Sequence, residues 1–340
     1  PGELLAAIDA DAGIVGEGER FCGLLDAWER HADASRLPGV ALPGGSVVRP
    51  GVWEGPRRRR WDPAAPHVAY YLRHGGMLNL QSRRGCPRAC TYCTYPLLEG
   101  RASRFFPPTE VAAEALALQE AGARFLFFAD STFNVDAGHN LAVAEALRAA
   151  GVRVPWGAFF APSTPPDGYF VALAASGLTH VEFGTEALAA PMLGAYGKWF
   201  SPDDVREAHA AALAAGLHVA HYFLLGGPGE TVETIRETLD GAERLSSCAK
   251  FFFAAPRIYP GTPLARRATA EGRLADGVEL LAPTFYRCDV PADEILAMGR
   301  AKAAGRLDWV VGAGGERLTR VVTRLHARGA TGPLWEKLVE

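Results

Sequence analysis

From residue 77 onward, short runs of apolar, β-branched and aromatic residues alternate with longer stretches in which apolar positions recur three and four residues apart. The first pattern belongs to strands buried on both faces, the second to helices with one apolar side. Strands are predicted at 77–81, 124–129, 154–160, 180–184, 219–225 and 251–256, with helices between them at 109–121, 137–150, 167–176, 202–215 and 231–245. Acidic residues or proline open several of these helices, as at Glu110, Pro202-Asp203-Asp204 and Glu233, where carboxylates meet the positive end of the helix dipole. Gly122, Gly151, Gly177 and Gly216 stand just past helix ends, where a left-handed residue closes the last turn. Six strand-loop-helix units predict a parallel α/β sheet whose ligands gather at the carboxyl ends of the strands.

The flanks read differently. A short strand running into Gly16-Glu17-Gly18-Glu19 and a helix from Arg20 to Ala32 precede a Gly-, Pro- and Arg-rich stretch at 43–66, read as a surface linker. Within it, Arg57-Arg58-Arg59-Arg60 is read as a solvated face rather than an anion site. After Pro283 the pattern is helical, at 291–304, 315–327 and 332–338, which predicts a small C-terminal cap.

With 340 residues, 49% of them hydrophobic, and a net charge of only -3, the chain is long and apolar enough for a globular core. That charge does not imply nucleic acid as a partner. No apolar run reaches membrane-spanning length and no basic-apolar leader opens the sequence, so the expected location is cytoplasmic.

Six cysteines with three crowded into Cys86-Pro87-Arg88-Ala89-Cys90-Thr91-Tyr92-Cys93 do not form the pattern of a disulfide framework. Three thiolates hold three irons of a cubane and leave the fourth without a protein ligand, whereas electron-transfer clusters take four cysteines. A zinc knuckle on Cys90 and Cys93 is the competing reading, and it calls for a second Cys or His pair, which does not follow. Cys22 and Cys248, in helical surroundings, are read as small buried hydrophobes. Cys288 is read the same way, and is also the sole candidate for a fourth cluster ligand.

The spacing Cys-x-x-x-Cys-aromatic-x-Cys, with Tyr92 as its aromatic residue, resembles the radical S-adenosylmethionine (radical SAM) superfamily. Cys90 to Arg101, Asp130-Ser131-Thr132-Phe133-Asn134, Gly197-Lys198-Trp199-Phe200, Gly226-Gly227-Pro228-Gly229-Glu230-Thr231 and Arg257-Ile258-Tyr259-Pro260-Gly261-Thr262 resemble its cobalamin-binding class, of the kind often called lipid biosynthesis proteins. The resemblance implies a partial (β/α)6 TIM-like barrel at 75–285, preceded by the tail of a Rossmann-like cobalamin-binding domain at 1–42 and a linker at 43–74, and followed by a helical region at 286–340. The Asp-x-His-x-x-Gly loop that supplies cobalt's lower axial ligand in many members is not in the sequence. Either the chain starts inside a longer protein or that domain is degenerate, and the remnant is expected to lean on the barrel or on further sequence.

The resemblance also implies the site. Cys86, Cys90 and Cys93 would hold a [4Fe-4S] cluster, and Asp130 and Ser131 would accept hydrogen bonds from the ammonium of S-adenosylmethionine. Glu182, which points inward by strand alternation and needs a partner there, would meet the ribose, with Thr185 as an alternative hydroxyl. Gly226 and Gly227 would let the backbone approach the ligand. Arg257 would pair with the methionyl carboxylate or the substrate, backbone atoms of the segment that includes Tyr259 would hydrogen-bond the adenine edge, and Ile258 and the Tyr92 ring would pack on it. Glu186 is read as opening the next helix, and His221 as a satisfied core residue. The implied activity is reductive cleavage of S-adenosylmethionine to a 5′-deoxyadenosyl radical, used for cobalamin-dependent C-methylation of a small-molecule substrate with electrons from a flavodoxin, ferredoxin or reductase. The alternatives are radical rearrangement, ring contraction or oxidation without methyl transfer, and a non-catalytic iron-sulfur or zinc module.

Overall fold

A computed structural model describes residues 2–53, 61–275, 277–278, 280–312 and 315–339; the Arg57 to Arg60 run lies outside the described residues. Seven strands, not six, form one parallel sheet: β1 (Met77–Leu80), β2 (Phe125–Phe128), β3 (Trp156–Phe160), β4 (Leu178–Glu186), β5 (His218–Leu225), β6 (Ala249–Ala254) and β7 (Trp309–Val311). They lie in sequence order, each hydrogen-bonded to the next, in an open TIM-like sheet with β1 and β7 at its edges. Helices α1 (Pro108–Glu120), α2 (Ala137–Ala149), α3 (Tyr169–Ala174), α4 (Pro202–Ala214), α5 (Val232–Glu243) and α6 (Ala292–Ala303) cross between them. Capping boxes at Ser201 with Asp204 and Thr231 with Thr234 fix where α4 and α5 begin. The region expected to be purely helical therefore adds a seventh unit, α6 and β7. At three residues β7 is too short to show a period. Among the described residues no helix is long and apolar enough to cross a membrane.

Alternation gives the sheet two unlike faces. Toward the helices, Leu80, Phe128, Phe160, Phe183, Phe223 and Phe252 are 0–1% exposed, each contributing about 1.5–3 kcal/mol by burial. His221 lies on this side as well, its Nδ1 2.7 Å from Thr185 Oγ1 and its Nε2 3.0 Å from His209 Nδ1. Thr185, His221 and His209 thus form one hydrogen-bonded chain. Burial, and then the nearby Lys250 ammonium, lower His209 to about 4; burial, with His209 and Lys250 beside it, holds His221 well below its ordinary value.

The opposite face forms the lumen, lined by the rings of Phe127, Phe159, Tyr222, Phe251 and Phe253. Glu182 stands among them. The C-terminal turn Trp335–Leu338 closes this face near the amino ends of the strands: Trp335 donates its indole N–H to Glu182 (3.0 Å) and packs on Ala220, Ala249 and Phe251, while Glu336 contacts His180 at 3.2 Å.

At the carboxyl end of β1 the chain enters a two-stranded ribbon, Arg83–Arg84 against Arg104–Phe105. The N-terminal unit meets that ribbon through Arg84–Glu19 (2.7 Å) and Arg104–Glu17 (2.7 Å). In that unit Gly13–Ile14 pairs antiparallel with Val40–Ala41, and Leu24, Ala27, Ala34 and Val40 form a small core against helix Arg20–Glu29. Phe21, Leu25 and Trp28 on the same helix remain exposed. So does Cys22, contrary to its reading as a buried hydrophobe, because the helix turns its inner face at Leu24 and Ala27.

Asp130, just past β2, holds the start of the ribbon. Its Oδ1 accepts the Ser82 and Arg83 backbone N–H groups (2.9 and 3.3 Å), and its Oδ2 lies 2.5 Å from the Ser82 hydroxyl. Burial outweighs these bonds and the nearby Arg83 guanidinium, raising its pKa to about 6. A carboxyl that binds its proton more tightly when folded contributes stability that is complete below the unfolded value near 4 and lost as pH rises through about 6. Wild type is expected to lose stability to urea across that window. Asp130→Asn, whose NH₂ reproduces the donor of the protonated acid, should flatten the slope; an unchanged slope would contradict this placement of the proton.

Candidate active site

The ribbon delivers the chain to Gly85, whose positive φ (+82°) and contact with the Ala102 carbonyl leave no room for a Cβ. From there the cysteine loop is held on both sides. Gly85 N–H donates to Glu99 Oε2 (3.0 Å) and Cys86 N–H to the Gly100 carbonyl (3.0 Å). Thr91 donates its N–H to Tyr196 and its hydroxyl to the Ala195 carbonyl, and accepts from Leu264 N–H (2.9 Å). Beneath the loop, Arg83 bonds the carbonyls of Gly85 and Thr132 and the Ser131 hydroxyl.

So held, Cys86, Cys90 and Cys93 line one cavity of about 150 Å3 with Ser131, Thr132, Phe159, Gly184, Glu186 and Lys198. All three are free thiols. Among the described residues, the three-ligand group whose donor atoms all lie within 4.8 Å is His209, His221 and Cys248, not this trio. The loop thus presents three sulfurs around a space, as a multi-iron cluster requires, rather than the tight shell of one zinc ion. Burial raises Cys90 and Cys93, so both are protonated at neutral pH until a metal displaces the protons.

Two cations stand behind the sulfurs. Lys198, 6% exposed, donates to Tyr92 Oη and Glu186 Oε1 (3.0 Å each) and to the Cys90 sulfur; Tyr92 donates to the same Glu186 oxygen at 2.6 Å. Burial opposes the ammonium, but Glu186 and Cys90 outweigh it and hold Lys198 above its ordinary value. Tyr92 is pushed well up by burial and then by Glu186. Arg88 lies 3.7 Å over the Trp199 ring and close to Cys86 and Cys90, and its Nε is buried without a partner. An anionic group bound by three thiolates would meet both charges.

The structure brings the three cysteines together with Tyr92 and Ser131, and Tyr92 also packs against the cluster of Ile258, Leu264 and Tyr286. Other expected ligand contacts lie outside this cavity. Asp130 is buried beneath it, occupied with Ser82 and Arg83. Glu182 does face inward, but its partners are Trp335 and Tyr222 Oη (2.9 Å) rather than a free space for ribose, and burial raises its pKa. Thr185 faces the helix layer and His221, since alternation puts it with Phe183. Gly226 N–H donates to Glu230 (2.9 Å), and a Cβ on Gly227 would collide with the Tyr196 ring, so this turn accommodates protein. Arg257 stacks on Tyr259 at 4.7 Å, and Arg257–Ile258 pairs with Thr284–Phe285. Cys288 bonds the Val290 carbonyl and does not line the cavity.

Glu186, Lys198 and Arg88 are the charged cavity residues missed in the sequence. Glu186 ends β4 at φ +62° after a register shift, and the next helix starts only at Ala190, so it caps nothing. Its parity with Glu182 and Gly184 was the available signal. Lys198 lay within a recognised motif, Gly197 to Phe200, but no pattern gave its direction.

Residues 80–242, from the end of β1 into α5, match the Radical SAM superfamily. The chain is 29% identical over 276 residues to an uncharacterized methyltransferase of Pyrococcus horikoshii, covering 78% of this chain and 59% of that protein. It is 25% identical over 264 residues to a tryptophan 2-C-methyltransferase of Streptomyces laurentii, covering 69% and 43%. The chain thus spans about half the length of these relatives. Among solved structures, the radical S-adenosylmethionine methyltransferase TsrM from Kitasatospora setae, with cobalamin and a [4Fe-4S] cluster bound, aligns at TM-score 0.82 and 20% identity over 100% of this chain and 78% of that one. The cobalamin-dependent S-adenosylmethionine radical enzyme OxsB aligns at TM-score 0.69 and 15% identity over 96% and 56%. These two show a common fold. The match and a three-cysteine loop at the carboxyl end of the first strand lead to one conclusion: residues 80–242 form a Radical SAM superfamily domain.

Proposed function

We propose that the chain is the catalytic part of a radical SAM C-methyltransferase that takes a [4Fe-4S] cluster on Cys86, Cys90 and Cys93, S-adenosylmethionine beside it, and cobalamin. The observation that carries this reading is the single cavity shared by three free thiols and backed by Lys198 and Arg88. When bound, such a cluster supplies the electron that splits S-adenosylmethionine into methionine and a 5′-deoxyadenosyl radical, and cobalamin supplies a methyl carrier.

The residues of the chain hold and shield. The thiols lose their protons to ligate iron, and the two cations offset the resulting charge. Asp130 and Arg83 fix the loop from below, so that Ser131 and Tyr92 present their polar groups to the cavity. Phe159, Ala161 and Phe200 give the cavity an apolar lining that would limit water at a reactive carbon centre. Arg257, Ile258 and Tyr259 stand past β6 as the rim for the adenosyl group, whereas Gly226, Gly227, Asp130, Glu182 and Thr185 serve as supports.

Residues 1–42 are proposed as the tail of a cobalamin-binding domain. Likeness to TsrM over the whole chain and the exposed ring and leucine side chains of helix Arg20–Glu29 support that reading. Methyl transfer is favoured over rearrangement by the methyltransferase relatives. A flavodoxin or ferredoxin would supply electrons, and a reducing cytoplasm suits the cluster.

After anaerobic loading with iron and sulfide, reduction in the presence of S-adenosylmethionine is expected to release 5′-deoxyadenosine, and Cys90→Ala to lower that release at least about a hundredfold. Equal release by both proteins would defeat the proposal. With substrate present, S-adenosylhomocysteine should appear as well; deoxyadenosine without it would indicate rearrangement.

Glu186 favours a second reading, because a carboxylate shares the cavity with the three thiols. As a fourth ligand it would close the cluster and exclude cleavage. On the leading reading Tyr92 and Lys198 retain Glu186, and Glu186→Gln leaves the electron paramagnetic resonance spectrum of the reduced cluster unchanged; altered g values would favour the closed cluster.

A further inference from the structure

The helix side of the sheet holds a group of donor side chains that the proposed reaction does not use. His209 comes from α4, His221 from β5 and Cys248 from the turn just before β6, and they are 6%, 0% and 1% exposed. Phe183 and Phe223 lie within 30° of parallel to the His221 ring, at 5.2 and 6.1 Å. In these apolar surroundings the metal-donor atoms of the three residues all lie within 4.8 Å of one another.

The rings are turned toward each other. His209 Nδ1 faces His221 Nε2 at 3.0 Å, and the other nitrogen of His221 lies 2.7 Å from Thr185 Oγ1. Imidazoles that bind metals commonly give their second N–H to such an oxygen, which fixes the ring and leaves the facing nitrogen its lone pair. Burial and the nearby Lys250 ammonium keep both rings neutral at physiological pH, the form that ligates. Burial also raises the Cys248 thiol to about 11, so an arriving ion would displace its proton to solvent. Metal–nitrogen bonds of about 2.0–2.1 Å put two ligand nitrogens about 3.5 Å apart, so the rings need to open by only about half an ångström.

Charge selects the ion. Lys250, whose side chain is 3% exposed, donates to the Cys248 carbonyl at 3.2 Å and to Asp308 at 3.0 Å. That ion pair is neutral as a unit, and two imidazoles with one thiolate carry one negative charge. A monovalent ion makes the site neutral, whereas a divalent ion leaves a buried positive charge beside an ammonium. Three donors, one of them a soft thiolate, also suit Cu(I), while structural zinc sites hold four ligands. We propose that His209, His221 and Cys248 form a three-coordinate Cu(I) site that ties α4 to β5 and to the start of β6. The site lies across the sheet from the lumen and stands or falls independently of the cysteine loop.

The loop thiols also attract soft ions, so the test reads the ligands and not uptake alone. The full chain, loaded anaerobically with iron and sulfide, would be titrated with Cu(I) in the presence of bicinchoninate, which withholds the ion from weak sites, and studied by copper X-ray absorption. The expected result is one copper per chain with no iron released, in a shell of one sulfur and two imidazole nitrogens. Cys248→Ala and His209→Gln should lose that copper, with the melting temperature as a folding control, while Cys22→Ala, which removes an exposed thiol, should retain it. No uptake, a shell of sulfurs alone, release of iron, displacement by an equal concentration of Zn(II), or retention by folded Cys248→Ala would overturn the proposal. Should the variants not fold, the wild-type shell decides alone.

Discussion

A lysine ammonium buried in a cavity with three thiols, and paired with a tyrosine and a glutamate, is the constraint around which this molecule is arranged. An isolated charge in such a place would be prohibitive, and Lys198 is tolerated because Glu186 and Tyr92 satisfy it at hydrogen-bond distance. The arrangement only holds if the cysteine loop stays in place. Tyr196 and Ala195, just before Lys198 in the chain, bond Thr91 inside that loop, so the loop and its cation are fixed to one another. From below, Arg83 and Asp130 fix the loop to the ends of β1 and β2. Cavity, charge and sheet edge form one connected polar network at the carboxyl end of the strands.

The opposite end of the sheet has a different task. Trp335 closes the lumen and gives Glu182 a partner, which turns a potentially costly inward carboxylate into an anchor for the C-terminal segment. Between plug and cavity lies the ring-lined space. A parallel sheet with helices on one side and an incompletely filled lumen on the other divides stability from chemistry: the closely packed rings belong to the helix face, the accessible ones to the lumen.

Much of this was legible because strand and helix periods are local. The six main strands lie within a few residues of their predicted bounds, and the cysteine spacing pointed to the right end of the right strand. What escaped was non-local or short. β7 has three residues. The partner of Glu182 comes 153 residues later in the chain, and no pattern announces it. Thr185 is the instructive case: alternation placed it with Phe183 toward the helices, and assigning it to the ligand set that physical signal aside in favour of a family resemblance. The same parity, carried two residues past Gly184, pointed Glu186 into the lumen.

The account turns on one iron left without a protein side chain among the cysteines, with a nucleotide sulfonium compound as its natural occupant. Mössbauer spectroscopy of the chain loaded anaerobically with ⁵⁷Fe and sulfide, recorded before and after adding S-adenosylmethionine, addresses that point most directly. The account requires the spectrum of one iron in four to shift on addition, with the other three unchanged. Four irons that ignore the addition, or a protein that assembles no four-iron cluster, would contradict it.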